Sequence, residues 1–318
     1  MSNILLIGVG QIGSRHLQGL VRTLLNLNIT VVDPSGISLS KAKERWVEVG
    51  GDQSPHKISW FRALPKDIKS FDIAIVATSS KDRAKLINQV VSSVNVRYWV
   101  LEKVLAQSSQ ELELIKSITS KAEAIWVNTP KRLMIFYEQL KSKFYDQGPL
   151  RIKKTGGLWG LACNSIHFID LIAWWTSESL LSVNTSRLDP IWFKAKRSGY
   201  FEVSGELEMR FSGGSKLTLQ SNSNIIGETI NVELPNKRVW KIDESNVIAS
   251  SSKKDTLSGK FELQSEMTGL MVTKILIEGT CNLPYLKESS KQHAIFLDAM
   301  LSHWNTFNKS NDKAVPIT

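Results

Sequence analysis

Cysteine is nearly absent from this 318-residue chain, which has only Cys163 and Cys281. Two such distant residues form neither a disulfide framework nor a Cys-x-x-Cys metal pair, and no metal site is expected; this usage fits a reducing compartment. No apolar run approaches the roughly 20 residues that cross a bilayer. The first residues enter an apolar strand pattern instead of a basic segment with a cleavage site, so a cytoplasmic protein with no membrane partner is expected. Low-complexity tracts are also missing, and 42% hydrophobic with 22% charged residues is ordinary for a folded chain. Acidic residues are the scarcer charge, 30 Asp and Glu against 40 Lys and Arg, for a formal net charge of +10. The cations are scattered, in groups such as Lys41, Lys43 and Arg45 or Lys153 and Lys154, with no aromatic and basic interleaving. A solvated surface is expected for them, no nucleic-acid partner is expected, and the excess charge suits an anionic small molecule.

What the chain does have is a strong opening. Ile4, Leu5, Leu6 and Ile7 fit a short buried strand, Gly8, Gly10 and Gly13 follow in the G-x-G-x-x-G pattern, and Ile12, Leu17, Leu20, Val21 and Leu24 then recur at helical spacing. Each glycine has its own task in such a turn. Gly8 lets the chain reverse, Gly10 lets the backbone approach a pyrophosphate, and Gly13 lets the helix pack on the strand, with Gln11 and Ile12 between them. The pyrophosphate sits at the positive end of the helix. About twenty residues beyond Gly13, the run Ile29-Thr30-Val31-Val32 ends in Asp33, placed to accept hydrogen bonds from a ribose diol. A carboxylate there repels a 2′-phosphate and no arginine follows it directly, so NAD is expected over NADP.

The length calls for two domains. Helices are expected over 41–49, 82–91 and 110–122, and strands over 58–61, 71–78, 96–101 and 124–127. This alternation indicates an α/β, doubly wound parallel sheet over 1–127. Carboxyl ends of its strands face the ligand crevice, which places Thr78, Ser79 and Ser80 along a cofactor and Glu102-Lys103 at the mouth. A helix over 133–145 leaves this domain. From 128 to 318 the pattern becomes α+β: a strand over 150–155, an apolar helix over 161–175, alternating strands over 201–203, 206–211, 216–220 and 229–234, and helices over 261–277 and 291–307. On the apolar helix, Cys163, His167 and Asp170 share one face at spacings of four and three. Histidine and a cation-activated lysine both suit proton transfer beside a carbon that exchanges hydride.

The chain resembles the glucose-fructose oxidoreductase, inositol dehydrogenase and MocA (Gfo/Idh/MocA) family over essentially its whole length. The matching residues are Gly8 to His16; Ala77-Thr78-Ser79-Ser80; Glu102-Lys103-Val104-Leu105-Ala106; Asn128 with Arg132; and His167-Phe168-Ile169-Asp170. The resemblance implies a Rossmann domain followed by an α+β domain with an open, mainly antiparallel sheet, often used for homo-oligomers. It implies that Gly8, Gly10, Gly13 and Asp33 bind the dinucleotide, with Ser79, Ser80 and Glu102 along it. Lys103 falls on the lysine of the family's Glu-Lys-Pro segment, His167 on its catalytic histidine, and Asn128, Arg132, Cys163 and Asn164 among the substrate contacts. Three departures stand out: Arg83 replaces a usual histidine, Val104 the proline after the lysine, and Cys163 an aspartate four residues before the histidine. Lys103 is therefore the expected principal acid-base group. The expected function is an NAD-dependent oxidoreductase that interconverts alcohol and ketone on a carbohydrate, a sugar or sugar-derived acid such as a nucleotide sugar or nonulosonic acid in surface-glycan synthesis. The alternatives are an NAD-binding sensor on the same fold and a dehydrogenase of a non-sugar carbonyl compound.

Overall fold

A computed structural model describes residues Met1–Thr318. By contacts the chain divides into two compact units. The first comprises Met1–Leu105, Glu111–Pro130 and Glu262–Lys287; the second comprises Ala106–Gln110, Lys131–Phe261 and Glu288–Thr318. The expected single break after residue 127 is thus replaced by an interleaved division.

The first unit is built from β1 (Ser2–Ile7), α1 (Gln11–Leu20), β2 (Leu27–Val32), α2 (Gly36–Glu48), β3 (Lys57–Phe61), β4 (Ser70–Val76), α3 (Arg83–Ser93), β5 (Asn95–Glu102), α4 (Ser109–Ile118) and β6 (Ala124–Asn128). Its six strands are all parallel, in the order β3-β2-β1-β4-β5-β6. The order reverses between β1 and β4, the switch point at which open sheets of this kind bind ligands outside the carboxyl ends of their strands. Ile4, Leu5, Leu6, Ile73, Ile75 and Val100 are fully buried, which is why these strands read as continuous apolar runs instead of alternating ones. Two local expectations shift. Helix α1 stops at Leu20, so Leu24 lies beyond it and is exposed. Helix α2 begins at Gly36, five residues before the expected start, because the Ser35 side chain accepts the Ser38 N–H and caps it.

The second unit contains α5 (Ile135–Phe144), β7 (Arg151–Gly156), α6 (Leu161–Thr176), β8 (Leu180–Lys194), β9 (Phe201–Phe211), β10 (Lys216–Ser221), β11 (Thr229–Glu233), β12 (Val239–Asp243), β13 (Ile248–Ser251) and β14 (Thr256–Ser258). They form one sheet, β14-β13-β12-β11-β7-β10-β9-β8, antiparallel except for the pair β7 and β10. One face is apolar: Ile152, Leu207, Leu217, Leu219, Val232 and Trp240 are buried. Helices α5 and α6 add Phe144 and Trp175, whose ring centroids are 4.8 Å apart, and Phe144 meets Trp240 edge-on. The 15-residue β8 contains Pro190 within a register irregularity between Leu188 and Trp192, which it tolerates as the edge strand of the sheet. Strand β9 runs through Gly205 as one element instead of two. Gly205 has φ +107°, and a Cβ there would lie 2.6 Å from the Arg187 carbonyl oxygen of β8, so the glycine accommodates a close crossing instead of ending the strand.

The last two helices are α7 (Gln264–Glu278) and α8 (Leu286–Asn308). Helix α7 belongs to the first unit because it lies directly on α1. A Cβ on Gly19 would sit 2.7 Å from Thr268 Cβ, and one on Gly269 would sit 2.5 Å from the Gly19 carbonyl oxygen, so the two backbones meet with no side chain between them. In the second unit, the Gln107 carbonyl accepts the Val315 N–H at 2.9 Å, which ties residues 106–110 to the chain's last segment. No helix is long and apolar enough to cross a membrane. The α1–α7 contact generates a stability prediction. Gly269→Leu forces the helices apart at a backbone contact and is expected to cost about 1–3 kcal/mol, read as a fall in Tm by calorimetry; an unchanged Tm would show that α7 does not pack this way.

Candidate functional site

At the carboxyl edge of the parallel sheet, the turn between β1 and α1 holds the three glycines in distinct environments. Gly8 has φ +82° and donates its N–H to the Val32 carbonyl at 2.8 Å. A Cβ on Gly13 would fall 1.8 Å from the Gly8 carbonyl oxygen, so no other residue fits there. A Cβ on Gly10 would meet nothing within 4 Å, which leaves open space over the start of α1. No side chain caps that helix, so its first N–H groups face the same space. Asp33, at the end of β2, is buried; its Oδ2 accepts the Val9 N–H and its Oδ1 the Ser35 N–H, both at 2.8 Å. Arg45 of α2 donates to Gln11 Oε1 at 3.0 Å and to Ser14 Oγ, and Ile12 is half-buried beside them. At the end of β4, Ser79 is half-buried, Ser80 is buried, and the buried Thr78 Oγ1 has no partner within the chain. An open helix start, a buried carboxylate and an orphaned hydroxyl along one edge fit the pyrophosphate and ribose groups of a dinucleotide.

Further along the same edge, β5 ends in Glu102, the half-buried Lys103 follows it, and the Lys103–Val104 peptide bond is cis. Glu102 is buried and faces inward, where Oε1 accepts from His16 Nε2 of α1 at 2.9 Å and from Asn128 Nδ2 of β6. His16 Nδ1 lies 2.9 Å from Thr268 Oγ1, whose own hydroxyl donates to the Gln264 carbonyl at 2.9 Å. Asn128 also donates to Gln264 Oε1 at 2.9 Å. Burial pushes the Glu102 carboxyl upward, but the hydrogen bond and charge of His16, the Asn128 amide and the Lys103 ammonium outweigh it, and the group is held below the usual glutamate range. Arg83 is fully buried. Its guanidinium donates to the carbonyls of Thr78, Glu102, Val104 and Leu105 and so joins the ends of β4 and β5 around Lys103.

The remaining expected site residues belong to the second unit. Cys163 and Asn164 lie in the first turn of α6. The Cys163 N–H donates to Glu202 Oε1 at 3.1 Å, and Asn164 Nδ2 to the Trp159 carbonyl at 2.9 Å. His167 follows one turn later and is half-buried. Arg132 is committed to an ion pair: Nε donates to Asp170 Oδ2 at 2.9 Å, Nη2 to Asp170 Oδ1 at 2.6 Å, and Nη2 also to Glu288. Asp170, fully buried, therefore anchors α6 instead of facing outward with Cys163 and His167.

A polar cluster in the second unit was not visible in the sequence. Lys154, expected on the surface, is 2% exposed; its Nζ donates to Glu228 and, at 3.1 Å, to Glu244 Oε2. Lys131 donates to Tyr137 Oη at 2.6 Å and to Glu244, and lies over the Phe168 ring, as Lys154 does. The available signal was β-alternation, since Lys154 shares a strand face with the buried Ile152. Burial alone would raise the Glu244 carboxyl, but the two ammonium groups hold it at about 2, while burial and Glu244 push the Tyr137 hydroxyl well above its ordinary value. The first unit also holds a cavity of about 560 Å³, but Asn3, Asp72, Arg97 and Glu123 line it at the amino-terminal end of the strands, away from the glycine turn.

The lysine cluster sets an acid limit. Glu244 titrates below its unfolded value of 4.5, so its stabilisation is complete above that value and is lost as pH falls towards about 2. Glu244→Gln leaves two buried ammonium groups short of a carboxylate and is expected to cost about 3–5 kcal/mol at neutral pH. Thermal melts from pH 7 to pH 3 test this: the variant should melt lower at pH 7 and lose less on acidification, and equal melts at pH 7 would refute the pairing.

No protein-family model matches the sequence, and no curated protein matches it. Solved structures do. A Gfo/Idh/MocA family oxidoreductase from Vibrio cholerae superposes with a TM-score of 0.67 at 14% identity, over 98% of this chain and 100% of that one. Scyllo-inositol dehydrogenase from Lactobacillus casei, with bound NAD(H) and scyllo-inositol, gives 0.64 at 15% identity, over 94% and 96%. UDP-N-acetylglucosamine 3-dehydrogenase GnnA from Acidithiobacillus ferrooxidans gives 0.65 at 12% identity, over 94% and 96%. With a six-stranded parallel sheet, a mixed and mostly antiparallel eight-stranded sheet and this likeness over nearly the whole chain, the protein has the fold of the Gfo/Idh/MocA family oxidoreductases.

Proposed function

We propose that the protein is an NAD-dependent oxidoreductase that interconverts an alcohol and a ketone on a sugar or sugar-derived acid. The observation that carries this reading is the content of one sheet edge: the glycine turn with its open helix start, Asp33, the orphaned Thr78 hydroxyl and Lys103 all lie at the carboxyl ends of neighbouring strands. The fold's sugar-acting neighbours, one of them with NAD(H) bound, support the cofactor and the substrate class.

In this reading Gly8, Gly10, Gln11, Ile12 and Gly13 hold the pyrophosphate, Asp33 accepts from the adenosine ribose, and Thr78, Ser79 and Ser80 line the path towards β5. Glu102 acts from beneath: its carboxylate holds His16 and Asn128 and so fixes the strand end that carries Lys103. NAD, when bound, supplies the hydride acceptor. Lys103 Nζ takes the hydroxyl proton during oxidation and returns it during reduction. His167 is the second proton-handling group of the proposal, and Asn164 and Cys163, at the start of the same helix, are proposed substrate contacts. Asn128 and Arg132 carry less of that role, because their amide and guanidinium groups are already bonded to Glu102 and Gln264 and to Asp170 and Glu288. The formal charge of +10 favours an anionic substrate, such as a nucleotide-linked sugar or a nonulosonic acid.

Lys103→Ala is expected to lower kcat by about 10²–10⁴-fold, the usual contribution of a positioned acid-base group, while NAD affinity measured by fluorescence titration stays near that of the unaltered protein. Unchanged turnover would remove Lys103 from the chemistry. NAD binding without turnover on any sugar or nucleotide sugar would instead favour a sensor, the reading that Cys163 in place of an acid supports.

A further inference from the structure

We infer that the outer face of α7 is a docking surface for a second copy of this chain, with α7 packed antiparallel against its own twofold image. Most of the circumference of this helix is covered: Met267, Gly269, Met271, Val272 and Ile275 are all buried. The large apolar residues left in solvent form a single line. Leu263 at the N-cap is 64% exposed, Leu270 63% and Ile277 64%, each seven positions from the next. Seven residues are close to two full turns, so successive members of the line are offset by only about 20° and the three side chains make one stripe about 21 Å long. Leu24, 77% exposed, widens it, because its N–H donates to Thr273 Oγ1 of α7 at 3.2 Å.

Exposed aliphatic residues scattered singly are ordinary, whereas three in line mark a surface made to be covered. No other helix has more than two large apolar residues in solvent. Helix α2 has Ile37 and Val47, and their spacing of ten places them on different sides of it. The outward positions of the eight-stranded sheet are charged by contrast, with Lys153 and Arg187 paired to Glu206 and Arg187 also to Glu208.

The order of charges along the stripe identifies the partner. Glu266 stands four residues before Leu270 and Lys274 four after it, just as Leu263 and Ile277 stand seven before and seven after. The stripe is therefore its own complement when reversed. With two copies of α7 antiparallel about a twofold axis at Leu270, Leu270 meets the partner's Leu270, Leu263 comes level with the partner's Ile277, and Glu266 with the partner's Lys274, each pair occurring twice. A parallel pairing would set Glu266 against Glu266 and Lys274 against Lys274. Within one chain Glu266 lies 3.8 Å from Arg22 and Lys274 lies 3.9 Å from Glu278, long contacts between partly exposed groups that leave room for a second partner. The opposite face of α7 carries Gln264 and Thr268, which reach Asn128 and His16 around Glu102, so the second copy bears on the helix that backs this network. Two helices of this length form an interface at or below about 1,200 Å², the weak end of specific association, with a dissociation constant on the order of micromolar.

The test is the mass of the full chain in solution, by sedimentation from low to high micromolar concentration at one low salt concentration. The unaltered protein should double in mass as concentration rises. Leu270→Lys sets two ammonium groups on the twofold axis and should weaken that step by about a hundredfold or more, while its melt at low concentration matches the original because the residue is in solvent. Glu266→Lys and Lys274→Glu each oppose like charges across the axis, and each alone should weaken association by about tenfold. Mixed in equal amounts, these two variants should associate with each other as the unaltered copies do, since every facing pair is again opposite in sign. Loss of stability cannot produce that recovery. Glu266 also caps α7 through the Leu263 N–H, so if Glu266→Lys melts early, Leu270→Lys decides alone. The inference is overturned if the unaltered protein is monomeric throughout, if Leu270→Lys leaves its mass unchanged, or if the mixed charge variants, both folded, associate no better than either by itself.

Discussion

The buried carboxylate of Glu102 is the constraint on which the first unit's functional edge depends. A charge removed from water is costly unless donors surround it. Here His16 of α1 and Asn128 of β6 supply them, and Thr268 and Gln264 of α7 complete the shell. One ionised group therefore ties together the helix that opens the glycine turn, two strand ends and a helix from far along the chain. Lys103 is the next residue, so the backbone from which its side chain extends is fixed by this network. Arg83 reinforces it from the other side by gathering the carbonyls of Thr78, Glu102, Val104 and Leu105, groups that would otherwise be left unbonded at a strand-to-loop transition.

The second unit relies on the same kind of arrangement around a different charge. Glu244 draws Lys131 and Lys154 under the aromatic surface of Phe168, and Asp170 draws Arg132 against α6. Both ends of this helix thus have defined neighbours: its first turn is capped from β9, where Glu202 accepts the N–H groups of Ala162 and Cys163, and its later part is held by Arg132. His167 lies between these two anchors. Its place along the chain is set by how α6 is fixed, with Glu202 at the first turn and Asp170 three residues beyond the histidine.

Much of the first unit was legible because its information is local. A strand buried on both faces needs a continuous apolar run, and a turn that packs backbone on backbone needs glycine, so residues 4–13, Asp33 and the strand ends at 78–80 and 102–103 announce themselves. The second unit was legible only in outline. The alternation of residues 206–211, 216–220 and 229–234 revealed strands, but β12, β13 and β14 are short and were not delimited, and the gap left at Gly205 is bridged by one continuous strand. That exception has a tertiary cause, a close strand crossing at the glycine. Lys154 was assigned to solvent because lysine usually is; its partners lie 74 and 90 residues away in sequence.

By itself, then, the sequence determined the α/β character, the glycine turn, the acid that ends β2 and the candidate lysine, all of which follow from periodicities of two and 3.6 residues and from the steric needs of glycine. Only the tertiary structure decided that α7 joins the first unit, that His16 and Asn128 hold Glu102, and that Arg132 is bound to Asp170. These pairings join residues separated by 26 to 252 positions. No local pattern encodes them; they arise when strands take their order in the sheet and buried charges find the donors that make their burial affordable.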